Sequence, residues 1–180
     1  RGDVGFAVAI QRDGKIVSAG LTNTGGAEVF SALARLNTNG SLDATFGGDG
    51  RVTTNVAPGN GINEVVQDVE IESDGKIIAA VSGGGDFNVV RYNSNGGLDS
   101  TFGNGGIART DFSGVDFVRA SALYGDKLVV VGDGTEGSDI RLVRSNLLSS
   151  PSASSDFDGD GFPDAALFRP SQATWFTLNS

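Results

Sequence analysis

The sequence predicts an all-β protein, a β-propeller-like array of four-stranded antiparallel blades. Three observations lead there. Glycine takes 28 of the 180 positions, about twice its usual share of roughly 7%. Apolar residues alternate with period two, the strand period, and no window of helical length carries a capped 3.6-residue stripe. Long segments also recur along the chain, as repeat architectures require.

The elements of the first unit follow in order. Phe6-Ala-Val-Ala-Ile is one strand, and Asp13-Gly14 is expected to close a two-residue hairpin. Lys15-Ile-Val-Ser-Ala-Gly is the second strand, and after a longer loop Phe30-Ser-Ala-Leu-Ala-Arg-Leu is the third. Asn39-Gly40 turns the chain again, and Gly50-Arg-Val-Thr-Thr-Asn-Val begins the fourth. Between them, Leu42 and Phe46 are expected to pin the Leu-Asp-x-Thr-Phe-Gly turn to the core, with Asp43 accepting backbone N–H bonds and Gly47 at positive φ. Four strands in such a unit form a meander, and a meander repeated radially is a propeller blade.

The unit then returns. Phe6-Ala-Val-Ala-Ile-Gln-Arg-Asp-Gly-Lys-Ile-Val reappears as Val66-Gln-Asp-Val-Glu-Ile-Glu-Ser-Asp-Gly-Lys-Ile-Ile, and more weakly as Ala120-Ser-Ala-Leu-Tyr-Gly-Asp-Lys-Leu-Val. A second anchor, Ala34-Arg-Leu-Asn-Thr-Asn-Gly-Ser-Leu-Asp-Ala-Thr-Phe-Gly, reappears as Val90-Arg-Tyr-Asn-Ser-Asn-Gly-Gly-Leu-Asp-Ser-Thr-Phe-Gly. Together the two anchors resemble the delta-60 repeat of large bacterial surface and secreted proteins. The resemblance covers residues 6–56 and 66–112, with a degraded third unit at 118–148, so that residues 1–148 form one repeat region. It implies a propeller-like fold, an extracellular or cell-surface location, and no established chemistry.

A serine-rich linker, residues 149–155, leads into Asp156-Phe-Asp-Gly-Asp-Gly-Phe-Pro-Asp164. Four carboxylates at loop positions 1, 3, 5 and 9 repel one another unless a hard cation gathers them. Asp156, Asp158, Asp160 and Asp164, with the carbonyl of Phe162 at position 7, are therefore the expected Ca2+ ligands. Position 12 is Leu167 where an EF-hand carries Glu, and Pro170 follows too soon for a flanking helix. Residues 156–180 instead resemble an FG-GAP or VCBS-type repeat, which implies that the loop opens a further, incomplete blade.

Other motifs have plainer explanations. Gly132-Asp-Gly-Thr-Glu-Gly137 matches a dinucleotide fingerprint, but Ser138-Asp-Ile-Arg-Leu-Val-Arg144 alternates like a strand where a helix is needed. Arg1-Gly2-Asp3 falls at a repeat junction, and Asp43 with Asp99 suit turn capping better than a glycosidase carboxylate pair.

Composition narrows function further. There is no His, Cys or Met, and 22 acidic against 13 basic residues give a net charge of −9. Disulfides, a Ser-His-Asp triad and the usual zinc sites are excluded, and the acidic balance argues against nucleic acid. No apolar run approaches the roughly 20 residues of a membrane helix. The missing Met and the half blade at the C-terminus suggest a processed form or fragment, either excised from a larger propeller or forming an open arc that self-associates through exposed edge strands. The expected function is a structural or adhesive module without enzymatic activity, steadied by calcium and able to meet neighbouring blades, other proteins or surface glycans. The alternative is a carbohydrate-binding or glycan-processing propeller module.

Overall fold

A computed structural model of the chain describes residues 2–23, 25, 28–58, 63–135, 140–146, 164–169 and 174–179, with the strand path alone for 145–146, 164–169 and 174–179. The architecture is all-β, in three antiparallel sheets. The first is β1 (Val4–Ile10), β2 (Ile16–Thr22), β3 (Phe30–Leu36) and β4 (Arg51–Thr54), paired in chain order. The second repeats it with β5 (Val65–Ile71), β6 (Ile77–Gly83), β7 (Asp86–Tyr92) and β8 (Ile107–Thr110). The third holds β9 (Asp116–Tyr124), β10 (Lys127–Gly134), β11 (Ile140–Asn146), β12 (Asp164–Arg169) and β13 (Thr174–Asn179). The sheets follow one another like blades without closing a ring, the arrangement of an incomplete propeller. No helix among the described residues is long and apolar enough to cross a membrane.

The last two strands sit differently from the sequence expectation. They do not stand in a separate sheet: β12 pairs antiparallel with β11 and β13 with β12, as the fourth and fifth strands of the third sheet. The degraded third unit lacks the Asn-Gly-x-Leu-Asp-x-Thr-Phe-Gly turn that brings a fourth strand back. The far edge of β11 is therefore open, and β12 takes it.

The first hairpins also depart from expectation. Gly14 donates its N–H to the Gln11 carbonyl and Gln11 to the Lys15 carbonyl, which makes a three-residue loop with Gly14 at φ 82°. A two-residue connection, Gly125-Asp126, occurs between β9 and β10, where Tyr124 pairs with Lys127. An extra loop residue is accommodated when glycine takes the left-handed position of a bulged turn.

Sequence alternation becomes packing between sheets. Val17, Ala19 and Leu33 of the first sheet meet Val69, Ile77, Ala79 and Val81 of the second in one core. Ile78, Ala80 and Val89, on the opposite face of the second sheet, meet Val118, Leu128, Val130 and Val143 of the third in another. The second sheet is thus covered on both faces, and every residue of β6 and β7 is buried. Strands covered on both faces carry nearly continuous apolar runs, whereas half-covered ones alternate.

Each first strand carries a β-bulge at the same step. Phe6, Gln67 and Arg119 are the residues without a partner, opposite Ala19/Gly20, Ala80/Val81 and Val131/Gly132. β5 lies against β1 on one side and β9 on the other, so the bulged strands run together through the array. A bulge raises local twist, which suits strands that must fan apart.

Candidate functional site

The β3–β4 and β7–β8 connections build the same charged lock twice. In the first sheet Asp43 Oδ2 lies 2.8 Å from Arg35 Nε and 3.0 Å from Lys15 Nζ. Its Oδ1 accepts from the Thr45 N–H at 3.0 Å and hydroxyl at 2.7 Å. The Arg35 guanidinium sits 4.7 Å above the Phe46 ring, and Phe46 is fully buried. In the second sheet Arg91 Nε stands 2.9 Å and Lys76 Nζ 3.7 Å from Asp99 Oδ2. Thr101 donates to Asp99 Oδ1, and Arg91 covers Phe102 at 4.6 Å. Hydrogen bonds from Thr45 and Lys15 hold the Asp43 carboxyl well below the usual carboxylate range. Burial pulls Asp99 upward, but the Thr101 bonds and the Arg91 charge outweigh it and the net direction is down.

Asp43 and Asp99 therefore carry the turn bonds read from the sequence, and Gly47 has φ 64°. Leu42 does not join Phe46 in the core, remaining 37% exposed. The Arg and Lys partners arrive from other strands and have no local signature. The first lock also crosses to the next sheet: Arg35 Nη1 donates to the Ser94 carbonyl and the Gly47 N–H to the Asn95 carbonyl. Gly96, at φ 90°, passes so close to Phe46 that a Cβ would lie 2.9 Å from the ring.

A second constellation forms where the second and third sheets meet. The carboxylate oxygens of Asp86, Asp111 and Asp116 lie within 4.8 Å of one another, the first and last residues buried. Arg109 pairs with Asp86 and Arg141 with Asp116, and Asp116 Oδ2 accepts the Phe112 N–H at 3.0 Å. Burial pushes the Asp86 carboxyl up against the opposing pull of Arg109. The three acids could hold a metal ion, and the two guanidiniums already offset much of their repulsion. Sequence reasoning missed the group because its members come from separate strands and loops.

Of the sequence-predicted calcium ligands, Asp156, Asp158, Asp160 and Phe162 lie outside the described residues, and Asp164 is placed as the first residue of β12.

Clefts open between the hairpin turns of successive sheets. One, of about 400 Å³, is lined by Gln11, Lys15, Arg35, Glu72, Asp74 and Ser94. The next, of about 470 Å³, runs past Glu72, Asp74, Leu123 and Asp126. Both fall within the range of about 300–1,000 Å³ found for ligand pockets. Glu72 borders both; its Oε2 is buried without a hydrogen-bond partner, and burial raises its pKa. The first sheet has Gln11 at this position, whose Oε1 accepts from Arg35 Nη1 at 3.5 Å.

Comparison with known proteins agrees with the architecture. The family model described as a domain of unknown function (DUF5122) beta-propeller matches residues 11–46 and 72–102, the stretches that hold the two locks. No curated protein matches the chain. A solved protein of unknown function from Bacteroides caccae is similar over 83% of this chain at 15% identity, with a TM-score of 0.48. The matched region spans 44% of that protein. A Pseudomonas aeruginosa structure described as a periplasmic gluconolactonase is similar over 96% of this chain and 69% of its own, at 14% identity and TM-score 0.35. That last description corrects the sequence expectation of a chain without enzymatic activity, which is withdrawn: an enzyme stands among the structures similar to it. Likeness at this level assigns no activity to this chain.

Proposed function

We propose that the chain is a structural and adhesive propeller module of a secreted or cell-surface bacterial protein, steadied by calcium at its C-terminal loop. The observation that carries this reading is the doubled lock. The charged side chains that recur with the repeat are consumed in pairs, Arg35 with Asp43 and Arg91 with Asp99, and the first of these ties adjacent sheets together. Charge spent in this way serves a rigid frame, leaving loops and inter-sheet clefts to meet other proteins or surface glycans.

Calcium enters this reading at Asp156, Asp158, Asp160, Asp164 and the Phe162 carbonyl. Bound cation would stabilise the folded chain by mass action and make stability depend on external calcium. Chelation with EDTA should lower the Tm, calcium should restore it, and Asp158→Ala should abolish the response. If chelation and Asp158→Ala both leave the Tm unchanged, the calcium assignment fails. A response that survives Asp158→Ala but disappears in Asp111→Asn would move the cation to the Asp86, Asp111 and Asp116 group. A glycan array and a cell-adhesion assay test the wider reading. Specific turnover of a glycan by the purified chain would replace it with the glycan-processing alternative.

A further inference from the structure

Asn-Gly and Asp-Gly steps recur through the turns of this chain, and their chemistry has two sides. The pair suits a tight turn. It is also a step at which a polypeptide modifies itself, because the unhindered glycine nitrogen can attack the side-chain carbonyl carbon before it.

Most of these steps are held closed by the same two bonds. Asn39 Oδ1 accepts the Ser41 N–H at 3.0 Å, and the Gly40 N–H donates to the Asn37 carbonyl at 2.9 Å. Asn95 Oδ1 accepts the Gly97 N–H at 3.0 Å, and the Gly96 N–H donates to the Asn93 carbonyl at 2.9 Å. Asp13-Gly14, Asp49-Gly50 and Asp74-Gly75 follow the same plan, with the N–H groups of Lys15, Arg51 and Lys76 on the carboxylates. In each, the glycine N–H points to a carbonyl and the side chain to the residue beyond. Attack requires that both bonds break.

Asn104-Gly105, in the β7–β8 connection, has neither bond. Asn104 meets Ile107 through the backbone alone, its N–H donating to the Ile107 carbonyl at 2.8 Å. No hydrogen bond among the described residues holds its side chain or the Gly105 N–H. Both residues are exposed, and a Cβ at Gly105 would meet nothing within 4 Å. Nucleophile, electrophile and solvent are together here with no turn bond to break.

We propose that Asn104 is a self-modification site of the folded chain. The Gly105 nitrogen bonds to Asn104 Cγ, the Cγ–Nδ2 bond breaks, and Nδ2 leaves as ammonia with the Gly105 amide proton. The cyclic imide then takes up a water at either carbonyl, which gives aspartate or β-linked isoaspartate. Either product adds a negative charge, and isoaspartate also lengthens the backbone of the connection that carries the Asp99 lock. The first sheet has Gly48-Asp49 at this place. Gly48 has no side chain to attack, so the equivalent turn cannot make the change.

Ageing the full chain in mildly alkaline buffer tests this, with peptide mass mapping at intervals and an isoaspartyl methyltransferase assay for the β-linked product. In the folded chain Asn104 should convert about tenfold faster than Asn39 and Asn95, the difference expected when two ordinary hydrogen bonds must first break. In urea the three rates should converge. Asn104→Gln should remove the fast product and leave circular dichroism unchanged. Equal rates in the folded chain, or faster conversion at Asn39 or Asn95, overturn the inference, as does an Asn104 that is inert until the chain unfolds. The same ranking in urea would assign it to flanking residues and overturn the role given to the turn bonds.

Discussion

The two joints of the array start from the same lock and diverge in what they add to it. Phe46 anchors the core of the first joint and Phe102 that of the second, each beneath an arginine. The first joint adds apolar contact, with Ala7 and Ala9 against Val69 and Ile71, a hydroxyl pair, Tyr92 donating to Thr54 at 2.8 Å, and a buried carboxylate, Glu64, that accepts the N–H groups of Ser31, Val56 and Ala57. Burial pushes the pKa of that tyrosine up to about 12. The second joint adds directional polar bonds. Ser82 Oγ accepts the Val118 N–H at 2.8 Å, Asp68 takes two bonds from Ser121, and Arg141 pairs with Asp116 in the interior. Both joints therefore combine an apolar core with directional bonds, the first centred on Glu64 and the second on Asp68 and Ser82.

The sharpest way to break this comparison is at the buried ion pair. Asp116→Ala leaves the Arg141 guanidinium in the interior without its carboxylate, and should cost about 3–5 kcal/mol in urea unfolding. The double variant Asp116→Ala with Arg141→Met should recover much of that, because the buried guanidinium is removed together with its carboxylate. No recovery would mean that the pair supports more of the second joint than its own neutralisation.

A smaller effect separates covered from uncovered apolar positions. Val69→Ala removes two buried methyl groups from the first joint and should cost about 2 kcal/mol. Val8→Ala changes the same position on the exposed face of the first sheet and should stay within about 0.5 kcal/mol. Equal effects would show that the first joint does not hold the second sheet as described.

Acid gives the smallest and most graded test. The folded pKa values of Asp43 and Asp99 lie below their ordinary value of 3.8. The unfolded chain therefore takes up their protons first, and the stability they supply is present above pH 3.8 and lost as pH falls through the folded values. Asp86 has the opposite sign: its folded pKa is raised, so its contribution is present at low pH and fades as pH rises through that value. The Tm should fall on acidification, with a shallower acid limb in Asp43→Asn or Asp99→Asn and no flattening in Asp86→Asn.

Legibility in the sequence followed the reach of each interaction. The strands of the first two units and the bonds of Asp43 are set by neighbours a few residues away, and alternation with turn chemistry reveals them. Phe46 was legible because its motif recurs with an apolar residue in a polar turn. Leu42 recurs equally and yet stays exposed, since period and recurrence do not say on which side of a turn a residue falls. The Arg35–Asp43 pair crosses between a strand and its following turn, and the Asp86, Asp111 and Asp116 group assembles only once two sheets are stacked. Glu72 gave one faint signal, an acid where the first unit has Gln11. Its burial depends on the adjoining sheet, which no local pattern encodes. The pairing of β12 with β11 was hidden for a related reason, since an open strand edge is visible only after the turn that should have covered it is missed.

The shared bulge has a consequence for how such a chain tolerates change. Its three unpaired residues, Phe6, Gln67 and Arg119, have nothing chemical in common. What the three sheets retain is a residue count. A deep mutational scan at these positions should therefore pass nearly every substitution and reject single deletions, because removing one residue rotates the rest of the strand to the wrong face. Length at this step, more than side-chain identity, is the quantity that duplication of the unit has had to copy.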